Sequence, residues 1–320
     1  MKENNKEYYK KFCENNTNVS IFSQPWWLDI LCEPQNWSVS IVKDNGVIVA
    51  TLPFYFTSSS KIKMPLLTMF MGPSFWNIDT SNSYKKKSAE RKYLNELIGS
   101  LSGFNFFTQR FAYEIEDWLP FYWNGFTQTT KYSYQLSNLN DINGLSSAFH
   151  RSKIKNINKA MKMGLRVLND LSAEEFFENH KLTLAKQNRK ISYNKNTFIK
   201  LYNAVYKRNQ GKVIYCEDND GVIHSALFIV WDANRAYNLI STIDPDYRVS
   251  GSAALLIKTA IAYVSDFVDV FDFSGSMDEN IESSIRKFGG KQKGYLQVTR
   301  VSKNKSIILS YLDRVLKLIE

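Results

Sequence analysis

The sequence predicts an α/β protein made of two similar halves in tandem, each a mixed sheet flanked by helices, with a cleft between them. Three observations carry this. One segment occurs twice: residues 39–56 read VSIVKDNGVIVATLPFYF and residues 213–231 read VIYCEDNDGVIHSALFIVW. With one residue inserted at Asp220, Val39, Asp44, Asn45, Gly46, Val47, Ile48 and Leu52 coincide with Val213, Asp218, Asn219, Gly221, Val222, Ile223 and Leu227. Each copy is an apolar run, a polar turn with glycine and a second apolar run, which is the pattern of a β-hairpin. Later elements recur in the same order. FNFFTQ at 104–109 matches FVDVFD at 267–272, and the strand at Tyr132 matches that at Tyr295, both at a shift of 163 residues. Finally, strand-like runs alternate with helical ones along most of the chain.

The elements follow in order. FSQPWWLDIL reads as a first helix after a frayed start, with Pro25 at a first helical position and Trp26, Trp27, Ile30 and Leu31 on one face. The first hairpin ends near Phe56, TSSSKIKMP reads as a loop, LLTMF as a third strand and MGPSFW as a connector. A helix is expected over Ser83–Ser100, then strands at 104–109 and 126–136. Residues 146–164 form a basic helix with Phe149, Ile154, Ile157 and Met161 at helical spacing and Gly164 as its stop. Helices near 173–188 and 196–209 precede the second hairpin. A strand at 235–243, a helix at 251–265, a strand at 267–273, a short helix ending at Gly289, a strand from Gly294 and a terminal helix complete the pattern. The implied division is 1–145 for the first half, 146–165 for the basic connecting helix, 166–302 for the second half and 303–320 for the C-terminal helix.

Bulk composition narrows the class. Of 320 residues, 44% are hydrophobic, enough for real cores. No apolar run reaches the length of a membrane span, and the polar start MKENNKEYYKKF has no signal-peptide core, so a cytoplasmic location is expected. Cys13, Cys32 and Cys216 are odd in number and scattered, which fits buried thiols in a reducing compartment. His150, His180 and His224 lack metal-ligand spacing, so no metal is expected. The net charge of +10 favours an anionic substrate, nucleic acid or a membrane surface, or else a solvated lysine-rich exterior.

The sharpest local motif is DPDYRVSGSAALL, between the strand at 235–243 and the following helix. It contains Arg248-x-x-Gly251-x-Ala253, with Ser250 and Ser252 between. Small residues let backbone approach an anion, and free N–H groups at a helix start point toward it. The simpler alternative is that Gly251 and Ser252 only start and cap a buried helix. The first half has no equivalent, so a donor site belongs to the second. FDFSGSMDENIESSIRKFGG follows. Asp272, at a strand end, is a candidate base or amine-orienting group, or a carboxylate paired with Arg286 or with a helix N-terminus. Ser274 and Ser276 could cap a helix or bind an oxyanion. Tyr295 could protonate a leaving group or belong to the core. Arg151, Lys153, Lys155, Lys159, Lys162 and Arg166 form a basic run without acids, suited to a sugar-nucleotide diphosphate, tRNA or anionic lipid, or to an ordinary wet linker. Arg286 and Lys287 add to the cations. His224, where the first half has Val49, is a base candidate if it faces the cleft and a structural histidine otherwise.

These pieces resemble the Fem-like branch of the GNAT superfamily, the peptidoglycan-bridge aminoacyltransferases and their acetyltransferase-like relatives. The carriers are FSQPWWLDIL with the hairpin ending LPFYF, HRSKIKNINKAMKMG, the hairpin ending ALFIVWD, and FDFSGS followed by FGG. Arg248-x-x-Gly251-x-Ala253 is similar to the loop that binds a CoA pyrophosphate in GNAT enzymes. The resemblance implies two GNAT-like halves and transfer of an acyl or aminoacyl group to an amine, often on a sugar-nucleotide or lipid-linked envelope precursor. It implies acetyl-CoA or another acyl-CoA as a donor substrate without a tightly bound cofactor, or alternatively aminoacyl-tRNA. The chain departs from the pattern twice. Residues 166–210 are too short for a long helical arm, and Ser284 and Ile285 stand where several relatives carry a Phe-Lys pair. Both departures leave room for an acyl-CoA donor. A third expectation is a catalytically silent module that binds an anionic glycan or nucleic acid. Peripheral membrane contact is compatible with all three.

Overall fold

The computed structural model describes residues 2–78, 80–169 and 171–301, and the terminal helix expected over 303–320 lies outside them. Along the chain run α1 (Lys2–Glu14), α2 (Pro25–Cys32), the hairpin β1 (Trp37–Asp44) and β2 (Val47–Ser58), the short strands β3 (Lys61–Lys63) and β4 (Ser74–Phe75), α3 (Ser83–Gly99), β5 (Phe106–Arg110), α4 (Leu119–Trp123) and β6 (Thr127–Ser137). There follow α5 (Ile142–Ser147), α6 (Arg151–Lys162), β7 (Arg166–Leu168), α7 (Ala173–Ala185), α8 (Lys195–Lys207), β8 (Gly211–Glu217), β9 (Ile223–Trp231), β10 (Ala236–Ile243), a 3-10 turn over Pro245–Ser250, α9 (Ser252–Val264), β11 (Val270–Asp272), α10 (Glu279–Arg286) and β12 (Lys291–Val301).

The described residues form two compact units built from separate stretches. The first takes 2–14, 32–130 and 295–301, and the second takes 15–31 and 131–294. Strand order in the first is β1-β2-β3-β5-β12, with β4 also on β2; in the second it is β6-β11-β10-β9-β8-β7. Both follow one plan. An antiparallel hairpin is joined by an antiparallel third strand, then by a parallel strand, then by an antiparallel one. The closing strand is β12 in the first unit and β6 in the second, so each half of the chain supplies the last strand of the other's sheet.

The registers repeat as well as the order. The shift of 163 that relates the two halves carries the pair Gln109↔Val298 onto Asp272↔Gln135. Each hairpin has a bulge, between Val42 and Lys43 in one and between Cys216 and Glu217 in the other, which are the same places after a shift of 174. The turns differ for a reason visible in sequence. Asn45 and Gly46 are both left-handed, at φ 49° and 82°, as a two-residue hairpin turn requires. The inserted Asp220 makes a three-residue loop, in which Gly221 N–H bonds the Asp218 carbonyl at 3.2 Å and Gly221 alone turns left-handed at φ 77°.

Each unit has its own core. In the first, Leu52, Ile62, Leu97, Phe107, Phe111 and Phe121 pack together, with Val298 of β12 among them. In the second, Ile229, Ala260, Ile261, Val264 and Phe271 pack with Leu136 of β6. All three cysteines are free and buried.

Several elements differ from the sequence reading. The polar start is helical, because Tyr9 and Cys13 at i, i+4 bury one face and Phe12 sets its ring on Trp76 at 5.2 Å. LLTMF is not a strand. Leu67 is left-handed at φ 52°, so the segment turns, although Thr68 to Met71 are buried. Within the expected loop, Lys61–Lys63 pairs with β2 and β5 around a single buried residue, Ile62. The basic helix begins at Arg151, not near 146, because His150 caps it: its Nδ1 accepts from Ser152 N–H at 3.2 Å. The strand expected at 267–273 is confined to Val270–Asp272.

Candidate functional site

The residues singled out in the second unit gather at two places: the turn before α9, and the end of β11 with its neighbours α6 and α10. The turn is built by its own acids. Asp244 accepts from Asp246 N–H at 3.0 Å, and Lys186 Nζ reaches Asp244 at 2.7 Å and Asp246 at 2.6 Å. Hydrogen bonds to those carboxylates, Asp244 first, raise the Lys186 pKa above the usual lysine range. Arg248 is exposed and donates to Gln187 Oε1 at 3.0 Å. Gly251 then turns left-handed at φ 85° and begins α9, whose start has no side-chain cap. A β-carbon on Gly251 would lie 2.1 Å from the Asn156 carbonyl oxygen. Both the dihedral and the approach of α6 therefore demand glycine. Ser250 and Ser252 are buried here, with Ser252 N–H on Ser250 Oγ at 3.3 Å, and Ala253 is half-buried.

His224 sits behind this turn. It is 2% exposed, its Nε2 lies 3.1 Å from Asp218 Oδ2, and its ring stacks on Tyr247 of the turn at 4.0 Å and 16°. Asp218 is held below the usual carboxylate range, first by Val222 N–H and then by His224 and Asp220 N–H. The histidine thus ties the second hairpin to the turn through a ring stack.

Asp272 is fully buried at the end of β11. Ser133 Oγ donates to it at 2.7 Å, Gln135 Nε2 at 2.9 Å and Ser274 N–H at 2.8 Å. Arg286, the partner considered from sequence, instead bonds Glu282 at 3.2 Å, and Glu282 accepts from Tyr134. Ser274 and Gly275 are both left-handed, at φ 59° and 58°. A β-carbon on Gly275 would meet the Tyr132 carbonyl at 2.3 Å, and the Ser274 hydroxyl is buried with no partner among the described residues.

Beside α10, the start of α6 is locked by His150 N–H on the Lys287 carbonyl at 2.8 Å. Lys153 Nζ then lies 2.8 Å from Ser284 Oγ and 4.4 Å over the Phe288 ring. Burial, with Lys287 adding like charge, pushes its pKa down to about 8. Arg151, Lys155 and Lys287 are exposed around it. At the far end of the basic run, Arg166 bonds Glu217 at 2.7 Å.

Tyr295 belongs to the first unit. Its ring packs edge-on against Phe70 at 5.1 Å and Tyr113 at 5.8 Å, and its hydroxyl meets Arg110. Sequence reasoning missed Ser133, Gln135 and Arg110. For the first two the signal was present: polar residues alternate with Tyr134 and Leu136 along the strand expected at 126–136. No group of His, Cys, Asp or Glu suited to a metal ion occurs among the described residues.

No protein-family model and no curated protein matches the chain by sequence. Solved structures do match. FemX covers 91% of this chain and 95% of its own at TM-score 0.65 and 10% identity. This is the Fem-like form of the tandem GNAT fold. L-PGS from Bacillus licheniformis covers 95% of each chain at TM-score 0.57 and 11% identity. A tandem GNAT protein from the clavulanic acid biosynthesis pathway covers 86% of this chain and 93% of its own at TM-score 0.50 and 9% identity. The turn around Gly251 and the α9 that follows it lie in the second unit; α3 of the first unit instead starts from an Asn82 cap. No helix among the described residues is long and apolar enough to cross a membrane.

Proposed function

We propose that this chain is an N-acyltransferase that moves an acyl group from an acyl-CoA-type donor to an amine on a cell-envelope precursor. The observation that carries the reading is the left-handed Gly251 at the uncapped start of α9, with Arg248 exposed on the turn before it. At this start Ser252 N–H is on Ser250 Oγ and Ala254 N–H on the Gly251 carbonyl, so the Ala253 N–H and the positive dipole end are what the turn offers a pyrophosphate, and Arg248 adds charge. Ser250, Gly251, Ser252 and Ala253 shape that turn, and His224 braces it through Tyr247. Acceptor chemistry is assigned to the β11 end. Asp272 holds the Ser274–Gly275 turn in place and is a positioning residue. Lys153, with Arg151, Lys155, Arg286 and Lys287 around it, receives an anionic acceptor. In the reaction the amine nitrogen attacks the thioester carbonyl, a C–N bond replaces the C–S bond, the amine loses a proton and the thiolate gains one. Tyr295, offered from sequence for that proton, is packed in the first unit against Phe70 and Tyr113 and is given no part in this reading.

Donor binding is tested by thermal unfolding. Acetyl-CoA at 100 times its Kd raises stability by about 2.7 kcal/mol, and Arg248→Ala lowers that gain at the same concentration. No shift at millimolar acetyl-CoA refutes the donor assignment. A second reading, aminoacyl-tRNA as donor, is favoured by the exposed cations Arg151, Lys155, Lys159 and Lys162 on α6. It predicts tRNA binding that falls steeply with salt.

A further inference from the structure

The first unit carries a surface that neither the donor turn nor the acceptor end uses. On the short helix α4, Leu119, Tyr122 and Trp123 stand at i, i+3 and i+4 and so share one face. They are 37%, 60% and 58% exposed, while Pro120 and Phe121 behind them are buried. This face is fixed against α3. Asp117 accepts from Leu119 N–H at 3.2 Å and from Arg91 Nε at 2.7 Å, and Asn124 Nδ2 donates to Asn95 at 3.3 Å. The Arg91 guanidinium lies 5.5 Å from the Trp123 ring.

The stripe of α3 that meets Trp123 continues toward the start of that helix. Arg91, Lys87 and Tyr84 follow at spacings of four and three, and Tyr84 is 79% exposed. Lys85, Lys86, Lys87 and Lys92 are exposed and bond no carboxylate among the described residues. Lys85 to Lys87 crowd the start of α3, where the helix dipole disfavours cations and acids are the usual choice; the acids of α3, Glu90 and Glu96, come later. On the α4 side the acids are Glu114, Glu116 and Asp117, and Arg91 engages the last. Cations kept where they weaken their own helix point to an anionic partner. Large rings left in water beside them point to an apolar one.

We propose that the outer face of α4 and the adjoining stripe of α3 dock the protein on an anionic phospholipid membrane. Tyr and Trp rings settle at the headgroup level, with an apolar body and a polar tip. Leu119 adds a wholly apolar anchor, and the lysines beside it meet lipid phosphates. Nucleic acid is the poorer match. Its bases stack on open ring faces along a cationic groove. Here the face is the outside of a helix turn, Trp118 packs edge-on against Tyr122 at 5.5 Å, and Arg91 sits over Trp123. Docking of this kind depends on neither the acyl donor nor the acceptor.

The test uses the full chain with vesicles of phosphatidylcholine alone, or mixed in equal parts with phosphatidylserine or with phosphatidylglycerol. Sedimentation reads binding. Both anionic vesicles bind the protein alike and roughly tenfold or more tighter than phosphatidylcholine, and salt weakens that binding. Replacing Lys85, Lys86 and Lys87 together by Gln removes the preference. Anionic vesicles with brominated acyl chains quench tryptophan fluorescence, and they quench Trp123→Phe less than the wild type, which has seven tryptophans. No binding to anionic vesicles, equal binding to neutral ones, preference for one anionic headgroup, or quenching unchanged in a folded Trp123→Phe would each overturn the proposal. So would binding that is lost with Lys159→Gln and Lys162→Gln on α6 but kept in the α3 triple variant, or tRNA binding that Trp123→Phe abolishes and anionic vesicles do not displace. The vesicle comparisons are made on wild-type protein, so an unfolded variant does not decide the outcome.

Discussion

Gly251→Ala is the sharpest perturbation of the donor turn, and its cost follows from two separable terms. The left-handed φ of 85° costs an L-residue about 1–2 kcal/mol. The added carbon would also lie 2.1 Å from the Asn156 carbonyl oxygen, 2.8 Å from its carbon and 3.1 Å from Cα. All three are backbone of α6, so no rotamer relieves them. Forced overpacking of this kind costs about 1–3 kcal/mol. The sum, roughly 2–5 kcal/mol, is a large part of the 5–15 kcal/mol typical of a domain. Gly46→Ala is the control. Its φ is 82°, but nothing lies within 4 Å of the new carbon, so it carries the dihedral term alone. Urea unfolding of both variants measures the difference, with hydrogen exchange at α9 amides assigning the loss to the second unit. The expected gap is about 1–3 kcal/mol, the overpacking term. Equal losses in the two variants would refute the close approach of α6, and with it the account of why glycine stands at 251.

Asp272→Ala leaves three donors without their buried acceptor and costs about 1–3 kcal/mol for each that finds no other. Asp272→Asn costs less by chemical denaturation, because its oxygen still serves Ser133 and Ser274 while the Gln135 amide turns over. Lys153, with a pKa near 8 against 10.5 unfolded, binds fewer protons folded than unfolded between those values. Stability therefore rises with pH from about 8 to 10.5 relative to Lys153→Met, and the two profiles run parallel below 8. Removing a like charge by Lys287→Ala raises the Lys153 pKa, which trinitrobenzenesulfonate labelling against pH reports as a later onset. His224→Phe keeps the ring stack on Tyr247 and leaves acetyl-CoA binding near wild type, whereas His224→Ala weakens it; equal losses in the two would assign the role to the Asp218 bond, which both lack.

How far the fold could be read from sequence depended on which forces act locally. The hairpins were legible because turn chemistry is local: Asn45-Gly46 and the extra Asp220 each dictate a turn type. Helices α7, α8 and α9 were legible from periodicity and from caps such as Ser172 with Glu175. Where long-range packing decides, the sequence was mute. Helix α1 is polar on all but one narrow face, and only its contact partners in the first unit show why it is ordered. LLTMF has the composition of a strand and is buried like one, yet it pairs with no ladder among the described residues. Its Leu67 conformation is imposed by what surrounds it.

The site shows the same division, and the duplication makes it measurable within one molecule. Gln109 and Asp272 are equivalent positions, and both are fully buried and polar. A buried polar side chain at that strand end is therefore a property of the frame. What differs is the neighbour. Asp272 faces Gln135 and bonds Ser133, whereas the same two places in the first unit hold Val298 and Leu296. Gln109 accordingly donates to the Pro53 carbonyl at 2.9 Å and its own oxygen has no partner among the described residues. One half has equipped the position to hold a carboxylate and the other has not. One residue further, the asymmetry reverses: the second half keeps Phe273 in its core, and the first carries the Arg110 guanidinium. The hairpin that repeats marks the frame, and these unequal positions within it are where chemistry specific to each half is to be sought, a carboxylate-held turn in the second and an arginine in place of a core phenylalanine in the first.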